Sequence, residues 1–133
     1  MTAPPQLSLS PPPRILVVED DYANRLLFAD YLTFAGLTVL TLPDGTQIEQ
    51  ALANFQPNAL VLDLGLPGPD GYHILEMLQT PGGQLRIPVV VVSGYAFVEN
   101  QERALALGAS QYLVKPVQMK QLVEAIQGVL ADR

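Results

Sequence analysis

Short apolar runs recur along the chain and alternate with stretches in which apolar residues return every three or four positions. Most of the runs are uninterrupted and rich in Val, Ile and Leu, which is typical of parallel strands buried on both faces. One run alternates apolar and polar residues instead, as an edge strand does. The predicted strands cover residues 15–18, 38–41, 59–62, 89–92 and 112–114.

The stretches between these runs carry the spacing and the boundary signals of helices. Asp20 or Asp21 can cap a first helix over residues 22–35, and Gly36 can end it. Four further stretches have apolar residues at intervals of three and four, which predicts amphipathic helices. These helices lie around residues 48–55, 74–78, 99–107 and 122–130.

Five strands that alternate with five helices predict an α/β protein with a (βα)5 chain. Such alternation implies a doubly wound parallel sheet with right-handed crossovers and helices on both faces. Functional sites in sheets of this kind lie at the carboxyl ends of the strands. The residues that directly follow each predicted strand are therefore the candidates for chemistry.

Acidic residues follow two of the predicted strands. Glu19, Asp20 and Asp21 come after the first strand, and Asp63 comes after the third. Carboxylates brought so close together repel one another unless a cation lies among them. Oxygen ligands without His or Cys suit a hard ion such as Mg²⁺ or Mn²⁺. For Asp21 we favour a plain helix-capping role, whereas Asp63 has no helix directly after it to cap.

Ser93 and Lys115 follow the fourth and fifth strands. A carboxylate, a hydroxyl, a lysine and a divalent cation match phosphoryl transfer to a carboxylate, in which positioning and charge neutralisation do most of the work. In this arrangement Lys115 would neutralise the transferred group and Ser93 would donate a hydrogen bond to it.

From Arg14 to its C-terminus the sequence resembles the receiver domains of response regulators in two-component signalling. Four segments carry the resemblance, in order and at matching spacing. They are Ile-Leu-Val-Val-Glu-Asp-Asp at 15–21, Leu-Asp-Leu-Gly-Leu-Pro-Gly-Pro-Asp-Gly at 62–71, Val-Val-Ser-Gly at 91–94 and Tyr-Leu-Val-Lys-Pro at 112–116. The resemblance implies a flavodoxin-like sheet with the strand order 2-1-3-4-5.

The resemblance also implies roles for the acidic residues. Asp63 matches the phosphoacceptor, and Asp20 matches a direct ligand of the metal ion. Glu19 matches an acidic residue that acts through water, and the carbonyl of Gly65 matches the third protein ligand.

Further roles follow from the resemblance at the last two strands. Ser93 and Lys115 match the hydroxyl residue and the lysine that contact the phosphoryl group. Tyr112 matches an aromatic switch residue that turns inward on phosphorylation, and the Lys115–Pro116 bond is expected to be cis. Gly65 and Tyr95 match the two positions that set the lifetime of the phosphate. Tyr95 either covers the phosphoryl group and excludes water or points into solvent, and the sequence leaves both open.

We expect a domain over residues 14–133, preceded by a flexible Pro-rich tail over residues 1–13. The chain of 133 residues has no Cys, a formal net charge of −6 and no apolar stretch long enough to span a membrane. A cytoplasmic location is therefore expected, and direct binding of nucleic acid is disfavoured, because nucleic-acid binders carry basic stripes.

The resemblance implies a protein that is not an enzyme in its own right. The expected phosphodonor is a histidine kinase or a histidine phosphotransfer protein. The expected output surface is formed by the fourth helix, the fifth strand and the fifth helix. No output domain follows residue 133 in this sequence, so we expect signalling by contact, from a stand-alone receiver or a receiver of a hybrid kinase.

Three alternatives were weighed against the receiver. A haloacid-dehalogenase-like phosphatase needs a second Asp two residues after the nucleophile, where this chain has Gly65. A flavodoxin-like flavin binder would place a phosphate beside the acidic residues after the first strand, which would repel it. A degenerate receiver that serves only as a phosphorylation-independent docking module is disfavoured by the complete acidic site.

Overall fold

A computed structural model of the chain describes residues 11–132. Within them five strands alternate with five helices. The elements are β1 (Arg14–Val18), α1 (Tyr22–Phe34), β2 (Thr38–Leu42), α2 (Ile48–Asn54), β3 (Ala59–Leu62), α3 (Gly71–Leu78), β4 (Val89–Ser93), α4 (Val98–Ala106), β5 (Gln111–Val114) and α5 (Met119–Ala131). All strand pairs are parallel, and the sheet order is β2-β1-β3-β4-β5. The predicted fold class and strand order are confirmed.

The sheet separates two apolar layers, because successive residues of a strand point to opposite faces. Leu16 and Val18 of β1 join the layer under α2, α3 and α4. Ile15 and Val17 join the layer under α1 and α5. The central strands β1, β3 and β4 are buried along nearly their whole length, which explains their uninterrupted Val, Ile and Leu runs.

Most element boundaries lie within one residue of the sequence predictions, but α3 and α5 each begin three residues earlier than predicted. Helix α1 ends at Phe34, and Gly36 lies beyond it with a φ of 99°, a conformation that favours glycine. Asp21 is the N-cap of α1, and its side chain accepts a hydrogen bond from the Asn24 N–H at 2.9 Å. The capping role favoured for Asp21 is confirmed.

The start of the fold lies inside the stretch that was predicted to be a tail. Residues 1–10 of that stretch lie outside the described residues. Pro13 is buried, and its carbonyl accepts a hydrogen bond from the Thr38 N–H at 2.9 Å. Its place is fixed because the β1–β2 ladder continues one residue before Arg14. Among residues 11–132, none of the helices combines the length and the apolar content needed to cross a bilayer.

Candidate functional site

The sheet itself brings four sequence-predicted residues to one edge. The Asp63 N–H donates to the Val18 carbonyl at 3.1 Å, and the Lys115 N–H donates to the Ser93 carbonyl at 2.8 Å. Glu19 is held in the same way, because its N–H donates to a carbonyl at the end of β2 at 3.0 Å. The ladder of backbone hydrogen bonds therefore extends past the strands and fixes the positions from which these side chains project.

Charged side chains are buried at this edge. Glu19 is 1% exposed, Asp63 is 7% exposed and Ser93 is 1% exposed, and they are the buried polar residues of the described chain. The Lys115 ammonium lies 2.6 Å from Glu19 Oε1 and 3.1 Å from Asp63 Oδ2. One ammonium thus serves two buried carboxylates. The side chain of Asp20 is exposed at the rim of the same cluster.

The charges of the cluster change one another's proton affinity. The pKa of Glu19 is raised to about 7, and burial is the largest cause. The hydrogen bond from Lys115 lowers this pKa, whereas the neighbouring Asp63 raises it further. Burial works against ionised Asp63 too, but hydrogen bonds from the Gly65 N–H and from Glu19, together with the charge of Lys115, lower its pKa. Burial disfavours the Lys115 ammonium, yet both carboxylates outweigh it and raise the Lys115 pKa.

The carboxylates could hold a cation. Glu19, Asp20 and Asp63 each offer an oxygen, and these oxygens lie within 4.8 Å of one another. Hard oxygen donors with no His or Cys suit Mg²⁺ or Mn²⁺ rather than a soft metal. The two negative charges facing one ammonium give such an ion an electrostatic reason to bind. The donor set therefore fits the ion that the sequence implies.

Gly65 and Tyr95 border Asp63. The Gly65 N–H donates to Asp63 Oδ1 at 3.0 Å. A Cβ atom built on Gly65 would lie 3.4 Å from Tyr95 Oη and 3.8 Å from Asp63 Oδ1. The phenol of Tyr95 therefore stands close to Asp63, over a position where the chain has no side chain.

Two hydrogen bonds join Ser93, Tyr95 and Tyr112. The Tyr95 N–H donates to Ser93 Oγ at 3.0 Å, and the Tyr112 hydroxyl donates to the Tyr95 carbonyl at 2.7 Å. The peptide bond between Lys115 and Pro116 is cis.

Gly71 packs against the backbone of Asp63 and Leu64. Its N–H donates to the Leu64 carbonyl at 2.9 Å, and its Cα approaches so closely that an added Cβ would lie 2.5 Å from Leu64 Cα and 2.7 Å from the Asp63 carbonyl oxygen. Only glycine fits this approach without a shift of backbone. The loop between β3 and α3 is therefore held at its end against the backbone of residues 63 and 64.

Sequence reasoning missed two side chains of α1 that contact the loop of residues 19–21, which we call the acidic loop. Asn24 Nδ2 lies 3.4 Å from Glu19 Oε1, and Arg25 Nη1 donates to the carbonyls of Glu19 and Asp20 at 2.9 and 3.0 Å. Helical side chains lean toward the helix N-terminus, so polar residues in the first turn can reach back to the preceding loop. That lean was the signal that could have identified them.

Comparison with known proteins agrees with this geometry. Residues 15–127 match the model of the response regulator receiver domain family. The chain is 34% identical over 119 residues to response regulator MprA of Mycobacterium sp. (strain KMS), covering 90% of this chain and 51% of that protein. It is 32% identical over 121 residues to transcriptional regulatory protein PrrA of Mycobacterium tuberculosis, covering 91% and 51%. The chain thus spans about half the length of these curated relatives.

Solved structures give the same answer. The BeF3-activated N-terminal receiver domain of Klebsiella pneumoniae RstA superposes with a TM-score of 0.80 at 31% identity, covering 88% of this chain and 97% of that one. A CheY-like receiver domain protein of Methanospirillum hungatei superposes with a TM-score of 0.81 at 30% identity, covering 91% and 95%. With its strand order, its acidic cluster and these relatives, the chain belongs to the response regulator receiver domain family.

Proposed function

We propose that the chain accepts a phosphoryl group on Asp63 from a histidine kinase or a histidine phosphotransfer protein, with Mg²⁺ or Mn²⁺ as cofactor. One observation carries the proposal. The Asp63 carboxylate is buried at the end of β3, ionised, and in contact with Lys115 beside a second acidic group. An ionised carboxylate held against an ammonium and a cation site is suited to attack phosphorus.

The transfer forms one bond to phosphorus and breaks another. An Asp63 carboxylate oxygen forms a bond to phosphorus as the bond from phosphorus to the donor imidazole nitrogen breaks, and the imidazole leaves with that electron pair. Asp20, Asp63 and the Gly65 carbonyl would hold the metal ion, with Glu19 acting through water. The ion would supply positive charge to the phosphoryl oxygens. Lys115 neutralises one of these oxygens, and the Ser93 hydroxyl donates a hydrogen bond to another.

The same proposal includes an output surface formed by α4, β5 and α5. Val98, Leu105 and Val114 are exposed apolar residues of α4 and β5, which suits contact with a protein partner. Tyr112 of β5 is joined to the Ser93 loop through the Tyr95 carbonyl. A shift of Ser93 toward a phosphoryl group would therefore be felt by Tyr112 and would bias this surface toward one of two states.

Several wider expectations belong to the same proposal. We place the receiver domain at residues 14–133, with a tail before it, in the cytoplasm, and we propose no direct contact of this domain with nucleic acid. The formal charge of −6 supports that last point. One relative is named a transcriptional regulatory protein, and this chain matches 51% of its length.

The test is the intact mass of the full chain after incubation with acetyl phosphate and Mg²⁺. We expect the mass of one phosphoryl group to be added to the wild type, and no addition to Asp63→Asn. Omitting Mg²⁺, or substituting Asp20→Ala, should slow the addition strongly. An adduct that persists in Asp63→Asn would place the acceptor elsewhere. No adduct on the wild type would favour the docking-module alternative.

A further inference from the structure

Arg25 lies behind the acidic loop rather than inside the cluster. It is the fourth residue of α1, and its side chain reaches back over the first turn. Its Nη1 donates to the carbonyls of Glu19 and Asp20 at 2.9 and 3.0 Å. These are the backbone oxygens of the two loop residues whose carboxylates face the cation site.

The position of Arg25 is not explained by helix stability. A cation in the first turn lies near the positive end of the helix dipole, which is unfavourable. Within residues 11–132 Arg25 makes no salt bridge with a carboxylate. Its guanidinium carbon lies over the Tyr22 ring, 5.5 Å from the centroid, which is within the range of a cation–π contact. The charge is directed at two backbone carbonyls instead.

We propose that Arg25 is a positioning residue that holds the loop of residues 19–21 in the conformation that binds the divalent cation. The proposal rests on the proposed metal-assisted function and deepens it. Mutual repulsion of the carboxylates at residues 19, 20 and 63 tends to push the loop outward. The Nη1 group of Arg25 donates to two successive carbonyls, and these two bonds oppose that movement because they tie both peptide groups to α1.

The sign of the effect separates positioning from simple electrostatics. A guanidinium near the site repels an incoming Mg²⁺, so its removal should tighten Mg²⁺ binding if charge were its only role. If Arg25 positions the ligands, its removal should weaken binding instead. Loss of a group that orients metal ligands typically costs about tenfold in affinity at the lower end.

The experiment is a titration of the full chain with MgCl₂, followed by the amide NMR shifts of the loop, in wild type, Arg25→Ala and Arg25→Lys. We expect Arg25→Ala to bind Mg²⁺ about tenfold more weakly. Arg25→Lys, which keeps a charged donor, should recover part of this loss. Hydrogen exchange of the Glu19 amide, which bonds to a carbonyl of β2 at 3.0 Å, should be faster in Arg25→Ala.

Arg14 is the matched control. Its Nε also donates to two successive carbonyls, those of residues 55 and 56, at 3.0 and 2.8 Å, but at the opposite end of β1. Arg14→Ala should lower stability and leave Mg²⁺ affinity unchanged.

Mg²⁺ binding by Arg25→Ala that is equal to that of the wild type, or tighter, would overturn the proposal. An equal loss of Mg²⁺ affinity in Arg14→Ala would overturn it too. If Arg25→Ala does not fold, Arg25→Lys is the deciding variant. An Arg25→Lys protein that binds Mg²⁺ more weakly, but whose Glu19 amide exchanges at the wild-type rate, would contradict the positioning role. Absence of any shift in the wild type would contradict the proposed function instead.

Discussion

The two ends of strand β1 each hold a charged side chain, and the surroundings satisfy it differently. At the amino end, the Arg14 guanidinium donates to the carbonyls of residues 55 and 56. At the carboxyl end, about 16 Å away at the usual rise of a strand, Glu19 is buried and shares the ammonium of Lys115 with Asp63.

The difference separates stability from function. A guanidinium that contacts neutral carbonyls meets no like charge, so no repulsion offsets the stability that its hydrogen bonds contribute at the amino end. At the carboxyl end one ammonium faces two carboxylates, and burial, together with the neighbouring Asp63, raises the pKa of Glu19 to about 7. The domain is therefore less stable than it could be at that end, and we expect a bound cation to recover that stability.

The largest effect should come from removing the shared ammonium. Lys115→Met leaves Glu19 and Asp63 without a counter-charge, so we expect the metal-free domain to lose about 3 kcal/mol of unfolding free energy near pH 8. Saturating Mg²⁺ should restore much of it, because the ion replaces the missing charge. Urea unfolding with and without Mg²⁺ measures both quantities.

The matched substitution at the other end is Arg14→Met. It removes hydrogen bonds to neutral acceptors and should cost about 1 kcal/mol, with no recovery by Mg²⁺. If Mg²⁺ rescued both variants equally, the two ends would not differ in the way proposed.

The backbone of the carboxyl end is also less tolerant of added volume. An alanine Cβ at Gly71 would lie 2.5 Å from Leu64 Cα, so Gly71→Ala should cost about 2 kcal/mol through displaced backbone. Gly128→Ala is the control, because nothing lies within 4 Å of its added Cβ on α5, and alanine favours a helix by about 0.5–1 kcal/mol. Thermal unfolding of the two variants should shift in opposite directions, and equal shifts would contradict this.

Glu19 makes the stability of the metal-free domain fall as the pH rises. Its pKa is raised from 4.5 to about 7, chiefly by burial, so the folded domain binds this proton more tightly than the unfolded chain does. The associated stability is complete below pH 4.5 and is lost as the pH rises through about 7.

We expect a loss of about 2 kcal/mol across this range without Mg²⁺. Glu19→Gln should flatten the profile, because the amide does not titrate in this range. Urea unfolding at several pH values measures the slope. A wild-type profile that rises with pH, or a Glu19→Gln profile as steep as that of the wild type, would count against Glu19 as the group responsible.

The fold was predictable because its signals are local. Uninterrupted apolar runs such as residues 89–92 indicate buried strands, and the alternation with helices leaves few topologies. The residues at the strand ends follow from the same rule, since a parallel sheet brings its carboxyl ends to one edge. The sequence therefore predicts that Glu19, Asp63 and Lys115 lie together, and the structure has them in contact.

Pairing within the site was not predictable to the same degree. Nothing in the sequence indicates that Lys115 lies closer to Glu19, at 2.6 Å, than to Asp63, at 3.1 Å. The two carbonyl contacts of Arg25 were missed as well. Such contacts depend on side-chain reach between elements distant in sequence, for which no periodicity exists. The starts of α3 and α5 were predicted three residues too late for a related reason, because terminal turns depend on local tertiary contacts.

The smallest effect concerns the side chain that borders the acceptor from the β4–α4 loop. Tyr95 is 46% exposed, yet its Oη lies close to residue 65, only 3.4 Å from a Cβ atom built on Gly65. Hydrolysis of an aspartyl phosphate needs a water in line with the breaking bond, and a phenol in this place obstructs its approach. We therefore expect phosphorylated Tyr95→Ala to decay about threefold faster than the wild type, a change of under 1 kcal/mol in barrier.

Phe97→Ala is the control and should decay at the wild-type rate. It removes a 76% exposed ring two residues along the same loop. The decay of the phosphorylated mass after removal of acetyl phosphate measures all three. Identical rates in wild type and Tyr95→Ala would show that the phenol does not shield the phosphate, and faster decay in Phe97→Ala as well would assign the effect to the loop.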